Sequence, residues 1–167
     1  MTARFRIEAL AREHDRAGFT CGSDALDRYL REQATQDVRR RTSACYVAVA
    51  EQSGAVAGYY TLAASSIPLT ELAEPTARKL PRYPLVPVAR MGRLAVGISF
   101  QGQQLGAALL WDAGLRTMQS GIGVFALVVD AKDETAADFY RHHGFIQLGS
   151  NPLAFVLPIA TLAQKAS

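Results

Sequence analysis

Six residues, Gln101, Gly102, Gln103, Gln104, Leu105 and Gly106, follow an apolar strand candidate ending in Leu94, Ala95 and Val96. They lead into a helix candidate whose Leu105, Leu109, Leu110 and Ala113 share one face. Strand, small-residue turn and helix start together aim unpaired backbone N–H groups and the positive helix end at one point. That arrangement binds anions, usually phosphates. Gly102 and Gly106 do not form the dinucleotide fingerprint GxGxxG, and no Lys-Ser or Lys-Thr follows Gly106 as a P-loop requires.

A second cluster spans Ala136 to Phe145 and contains Phe139, Tyr140, His142, His143 and Gly144. Tyr140 is either a proton-carrying phenol or a packing residue on the Ala136–Phe139–His143 face. His142 and His143 point about 100° apart on a helix and lack a second ligand cluster, so no metal is expected. Cys21 and Cys45 make neither a disulfide framework nor a zinc set, and a reduced cytoplasm suits them.

The formal net charge is only +3, but it is unevenly spread. No acid lies between Pro75 and Trp111, whereas Arg78, Lys79, Arg82, Arg90 and Arg93 all do. Such a field attracts polyanions, either nucleic acid or cofactor phosphates; an ordinary solvated face is the alternative. Arg39-Arg40-Arg41 extends the basic surface.

The elements that must position these residues read as one domain over 1–167, with a mixed α/β sheet. Ser23 caps a helix with Asp24 and Asp27 in its first turn and Leu26, Tyr29 and Leu30 on its face. Ala44–Ala50 and Ala55–Ala63 are strands of a hairpin closed by Glu51–Gly54. Ser66–Pro87 reads as a proline-rich loop with a short helix near Leu72–Leu80. Val86–Val96 is the strand entering the turn, and the helix spans about Gln103–Gln119. Val124–Asp130 is a buried strand, and Asp133 caps a helix stopped by Gly144. Phe145–Leu148 and Leu153–Leu157 close the sheet. Hydrophobic content of 49% with 20% charged residues describes a soluble domain of 167 residues. No apolar run approaches the ~18 residues of a membrane span. Met1–Leu10 lacks a signal-peptide core.

The turn resembles the pyrophosphate loop of the GCN5-related N-acetyltransferases, Gln/Arg-x-x-Gly-x-Gly/Ala. Gln101 and Gly106 fit its ends. Phe139-Tyr140-x-x-x-Gly144-Phe145 resembles the family's later motif. Phe19-Thr-Cys-Gly22, Leu26-Asp-Arg-Tyr-Leu30, Tyr46-Val-Ala48, Gly58-Tyr-Tyr-Thr-Leu62 and Gly92-Arg-Leu-Ala-Val96 resemble one subgroup, the acetyltransferase toxins of bacterial toxin–antitoxin pairs. The resemblance implies a mostly antiparallel central sheet flanked by helices, and acetyl-CoA as co-substrate. It also implies an aminoacyl-tRNA substrate, a ribbon–helix–helix antitoxin, contact with operator DNA only through that antitoxin, and a homodimer. Two departures stand out: Gln104 replaces the middle glycine, which is expected to loosen the turn, and Gly97 stands where Asp is common.

By the same resemblance, pantetheine lies along Leu94, Ala95 and Val96, the pyrophosphate meets the amides of Gln101 to Gly106, and Phe139 adjoins the cofactor. A free strand N–H stabilises the oxyanion. Tyr140 carries the proton for the departing thiolate, with its pKa expected to be lowered by its helix turn and Arg141. The acid-free strand bears on the acceptor. A lysine amine, pKa ~10.4, needs a base, whereas an α-amino group at ~7.7–8.0 is already partly neutral and an adjacent ester lowers it further. An aminoacyl ester therefore suits this strand, unless Glu51 or a water chain supplies a base. The alternatives are an N-acetyltransferase of small amines or protein N-termini, and a non-enzymatic antitoxin-binding co-regulator.

Overall fold

A computed structural model describes residues 4–166, so the first three positions of the Met1–Leu10 stretch lie outside the described residues. Seven strands form one mixed sheet in the order β1-β2-β3-β4-β5-β7-β6, flanked by helices, as expected. The chain divides into two compact units, residues 1–63 with 92–113, and residues 64–91 with 114–167.

In the first unit, β1 (Phe5–Ala9) pairs antiparallel with β2 (Ala44–Ala50), from Phe5↔Ala50 to Ala9↔Tyr46. The sequence reading assigned no element to β1. Five residues with two charges carry little local signal, and the strand exists through its hydrogen bonds to β2. The hairpin expected from Glu51–Gly54 joins β2 to β3 (Val56–Pro68). Ser23 caps α1 (Asp24–Arg28), its hydroxyl accepting from the Leu26 N–H, and a π-type segment Tyr29–Gln33 continues into α2 (Ala34–Arg39). Tyr29, Leu30 and Ala34 bury this run against Cys45, Val47, Tyr59 and Ala95.

In the second unit, β3 runs on through Ser65 and Ser66 to Pro68, where a loop was expected. Ile67 explains the extension, because it is buried with Leu72, Val86 and Val88. The short helix expected near Leu72–Leu80 is the single turn α3 (Glu74–Ala77), with Pro75 in its first turn and Pro81 soon after. From β4 (Leu85–Val96), the parallel ladder to β5 (Ala126–Asp130) extends from Val88↔Ala126 to Met91↔Val129. α4 (Leu105–Gln119) precedes β5 in sequence. Asp133 caps α5 (Glu134–His142), accepting from the Ala136 N–H at 2.8 Å. Only Ile146–Gln147 of the expected Phe145–Leu148 strand is β6, and β7 is Ala154–Pro158. The terminal helix α6 (Ile159–Ala166) was not anticipated. Eight residues are too few for a clear helical period, and this helix depends on Leu162 packing against Gly114.

Candidate active site

The anion turn is built by contacts within the first unit. At the end of β4, the Gly97 N–H donates to Ala57 O at 2.7 Å, and the Ile98 N–H donates to Thr20 O at 2.8 Å. A 3₁₀ turn, Ile98–Phe100, follows. The Gln101 carboxamide Nε2 then donates to Val96 O at 3.2 Å and Cys21 O at 3.5 Å. A residue with side-chain N–H groups thus ties the turn back to its own strand and to the Phe19–Gly22 motif. Gly102 and Gln104 take φ values of +80° and +63°. Gln104 O receives the Ala108 N–H at 3.1 Å, so the first-turn amides of α4 have no intrahelical acceptor and are free to meet an anion.

Both departures from the family pattern now have physical readings. Gln104 keeps the left-handed backbone that glycine adopts freely, so the turn is strained rather than loosened. The cost for a non-glycine residue is ~1–2 kcal/mol. Gln104→Gly should recover part of it, a net ~0.5–1 kcal/mol after the entropy glycine adds to the unfolded chain, with acetyl-CoA affinity retained. Thermal denaturation would show a melting temperature a few degrees higher; a fall would mean the Gln104 side chain holds the turn. At Gly97 the backbone is ordinary, φ −59°, but a Cβ would stand 3.2 Å from Ala57 O and 3.4 Å from Phe100 Cδ2. Glycine there lets the strand end close against β3.

Sequence reading missed the cavity beside this strand end. Its volume is about 270 Å³, and Phe19, Thr20, Val56, Gly97, Ile98 and Phe100 help to line it. The Phe19–Gly22 motif was its only signal, visible as a resemblance without a role. Phe100 packs edge-on against Phe5, with centroids 5.8 Å apart.

The basic set separates into committed and available charges. Arg93 places its guanidinium 3.5 Å from the centroid of the Tyr29 ring. Tyr29 in turn donates to Asp37 Oδ2 at 2.7 Å, and burial and that bond push its phenol up to about 12. In the second unit Arg90 pairs with Asp130 at 2.5 Å and Arg78 pairs with Glu74 at 3.1 Å. Lys79 and Arg82 are exposed and make no ion pair among the described residues. The interval free of acids in sequence is therefore not free of them in space.

Tyr140 packs on its helix face, as the second of its two readings expected. Its ring is buried among Phe139, Phe145 and Phe155, at centroid distances of 5.3, 5.5 and 6.3 Å. Its hydroxyl makes no hydrogen bond among the described residues. Burial, and secondarily the Asp130 charge, push the phenol up to about 12, not down as expected. Arg141 does not offset this, since it pairs with Asp138 at 2.8 Å and Glu134 at 3.3 Å. Phe139 is half-buried and stacks edge-on with Tyr140 and His143.

His142 and His143 lie 5.1 Å apart at their ring centroids, with His143 packed on Phe139. A trio not foreseen, Glu8, Glu13 and His14, brings its ligand atoms within 4.8 Å of one another. Hydrogen bonds already use both His14 nitrogens: Nδ1 accepts from the Ala11 N–H and Nε2 donates to Glu8. Burial raises the Cys45 thiol to about 12, which makes it unreactive. Among the described residues, no helix is long and apolar enough to cross a membrane.

Residues 42–147 match the family described as acetyltransferase (GNAT) domain. The chain belongs to the GNAT acetyltransferases. This acetyltransferase is similar to the tRNA-acetylating toxin of Mycobacterium tuberculosis, with 35% identity over 145 residues that span 86% of this chain and 85% of the relative. It is also similar to the structure of AtaT complexed with acetyl-methionyl-tRNAfMet. There the TM-score is 0.90 at 30% identity, covering 98% of this chain and 100% of that one. A structure of AtaTR bound with AcCoA matches with a TM-score of 0.84 at 30% identity, covering 100% of each chain.

Proposed function

We propose that this GNAT acetyltransferase is the toxin of a toxin–antitoxin pair, acetylating the α-amino group of aminoacyl-tRNA and so blocking translation. The observation that carries this reading is the 35% identity, over 86% of the chain, with a tRNA-acetylating toxin. The residues present also suit acetyl-CoA, which supplies an acetyl group activated as a thioester. The first-turn amides of α4 and the Gln101–Gly106 turn are donors for a pyrophosphate. Gln103 Oε1 is buried with no partner among the described residues, an acceptor for an amide N–H such as pantetheine carries. Leu94, Ala95 and Val96 lie on β4 beyond its ladder to β5 and would pair with the pantetheine as an added strand.

Tyr140 Oη holds a proton at every physiological pH and donates a hydrogen bond to the departing sulfur. Lys79 and Arg82, with Arg78 beside them, meet RNA phosphates; Arg90 and Arg93 contribute by holding β4 in place. The amine needs no carboxylate on β4, because an aminoacyl ester is partly neutral at pH 7. The protein acts in the cytoplasm as a homodimer. A ribbon–helix–helix antitoxin neutralises it and links it to operator DNA.

Calorimetry on Gly106→Glu tests the cofactor end of this reading. A carboxylate in the first helical turn favours the helix but repels a pyrophosphate, so the fold should persist while acetyl-CoA affinity falls at least about tenfold. Equal affinity in variant and wild type would place the cofactor elsewhere.

A further inference from the structure

Between α3 and β4 the chain presents an arm whose aromatic ring is unclaimed by the fold. Tyr83 is 70% exposed and Leu85 55% exposed. The Tyr83 ring makes no stack and no hydrogen bond among the described residues. Exposed Lys79 and Arg82 stand on the same arm, and neither has an ion-pair partner among the described residues.

The arm is braced. The Leu80 N–H donates to Ala77 O at 3.1 Å at one end, and the Leu69 N–H donates to Pro84 O at 3.0 Å at the other. Pro81 and Pro84 fix their own φ, and Pro84 biases Tyr83 towards an extended backbone. Little backbone entropy remains to be lost when the arm binds something. A large ring held in water on the same arm as two cations that make no ion pair among the described residues matches one kind of partner well: a strand whose phosphates are negative and whose bases offer open faces. Bases inside a duplex are already stacked on one another and leave no face for a side chain.

We propose that the arm 78–85 binds unpaired nucleotides of an RNA, with Tyr83 stacking on a base while Lys79 and Arg82 take the adjacent phosphates. This rests on the aminoacyl-tRNA reading for the identity of that RNA, whose unpaired 3′ end carries the aminoacyl group. Tyr83 is then a positioning residue that chooses single-stranded over duplex RNA, a role separate from the acetyl transfer itself.

The test uses the full chain in two assays. Fluorescence anisotropy compares a single-stranded RNA oligonucleotide with a duplex of equal length, for wild type, Tyr83→Ala and Tyr83→Phe. Steady-state acetylation of charged tRNA gives KM and kcat for the same proteins. Stacking on one base is worth ~1–3 kcal/mol, which converts to about a 5- to 150-fold change in affinity. Tyr83→Ala should therefore weaken single-strand binding and raise KM for charged tRNA by that range. It should leave kcat, acetyl-CoA affinity and duplex binding unchanged, and Tyr83→Phe should behave as wild type within about twofold. Tyr83→Ala equal to wild type on the single strand, or losing single strand and duplex alike, would overturn the proposal. A wild type whose Tyr83 governs single-strand binding but which acetylates no charged tRNA would overturn the toxin reading and leave the arm's role standing.

Discussion

Tyr140→Phe should lose about 10²–10³-fold in turnover while keeping its acetyl-CoA affinity and its melting temperature. The two halves of that expectation come from different observations. The hydroxyl makes no hydrogen bond among the described residues, so removing it breaks nothing that holds the fold. The ring contacts with Phe139, Phe145 and Phe155 survive in phenylalanine. A residue that serves only packing would show the opposite result, with turnover unchanged.

The pH profile adds a second readout. With the phenol at about 12, passing its proton wholly to a thiolate whose thiol has pKa ~8.5 runs uphill by roughly three powers of ten. Tyr140 therefore acts as a hydrogen-bond donor to developing charge, and the net proton is the one the amine releases. Turnover should rise with pH as the substrate amine deprotonates, at or below its usual ~7.7–8.0, and show no falling limb from Tyr140 below about pH 11. A falling limb near pH 9 that vanishes in Tyr140→Phe would restore a lowered phenol.

Apparent affinity for charged tRNA should fall about 7- to 40-fold between 50 and 200 mM salt. The range follows from two to three phosphate contacts at a slope of ~0.7–0.9 each. Lys79 and Arg82 make no ion pair among the described residues, and Arg78 has only an exposed partner, an ion pair worth little in water. Arg90 and Arg93 are excluded from the count because Asp130 and the Tyr29 ring already engage them. A loss above about 150-fold would require all five cations at the RNA and would show that both arginines leave their partners. Acetylation of a small aminoacyl ester should barely respond to salt.

The contrast between five and three contacts marks where sequence is legible. Local chemistry reads well: Ser23 and Asp133 announce their caps, and the turn from Gln101 to Gly106 sits between strand and helix as its residue types dictate. Pairings across the chain do not. Asp130 is forty positions from Arg90, and nothing in the spacing brings them together. The phenol of Tyr140 is raised for the same reason, since its burial comes from Phe155 on β7 and Phe145 beyond the helix stop. Gln104 is a subtler case. Its departure from glycine is plain in the sequence, but only the backbone angle shows that the turn accepts the strain instead of relaxing. The two missed elements, β1 and α6, are short and held by tertiary contacts.

The central claim is that the acetyl group goes to the amino group of an aminoacyl-tRNA. Its most direct test supplies labelled acetyl-CoA to the protein with charged tRNA, uncharged tRNA, histone-like peptides and spermidine in parallel. The expected result is label on charged tRNA alone, recovered as an amide on the aminoacyl group and formed at least about 100-fold more slowly with Tyr140→Phe. Transfer to peptides or spermidine with charged tRNA unlabelled would contradict it and make this chain an acetyltransferase of ordinary amines.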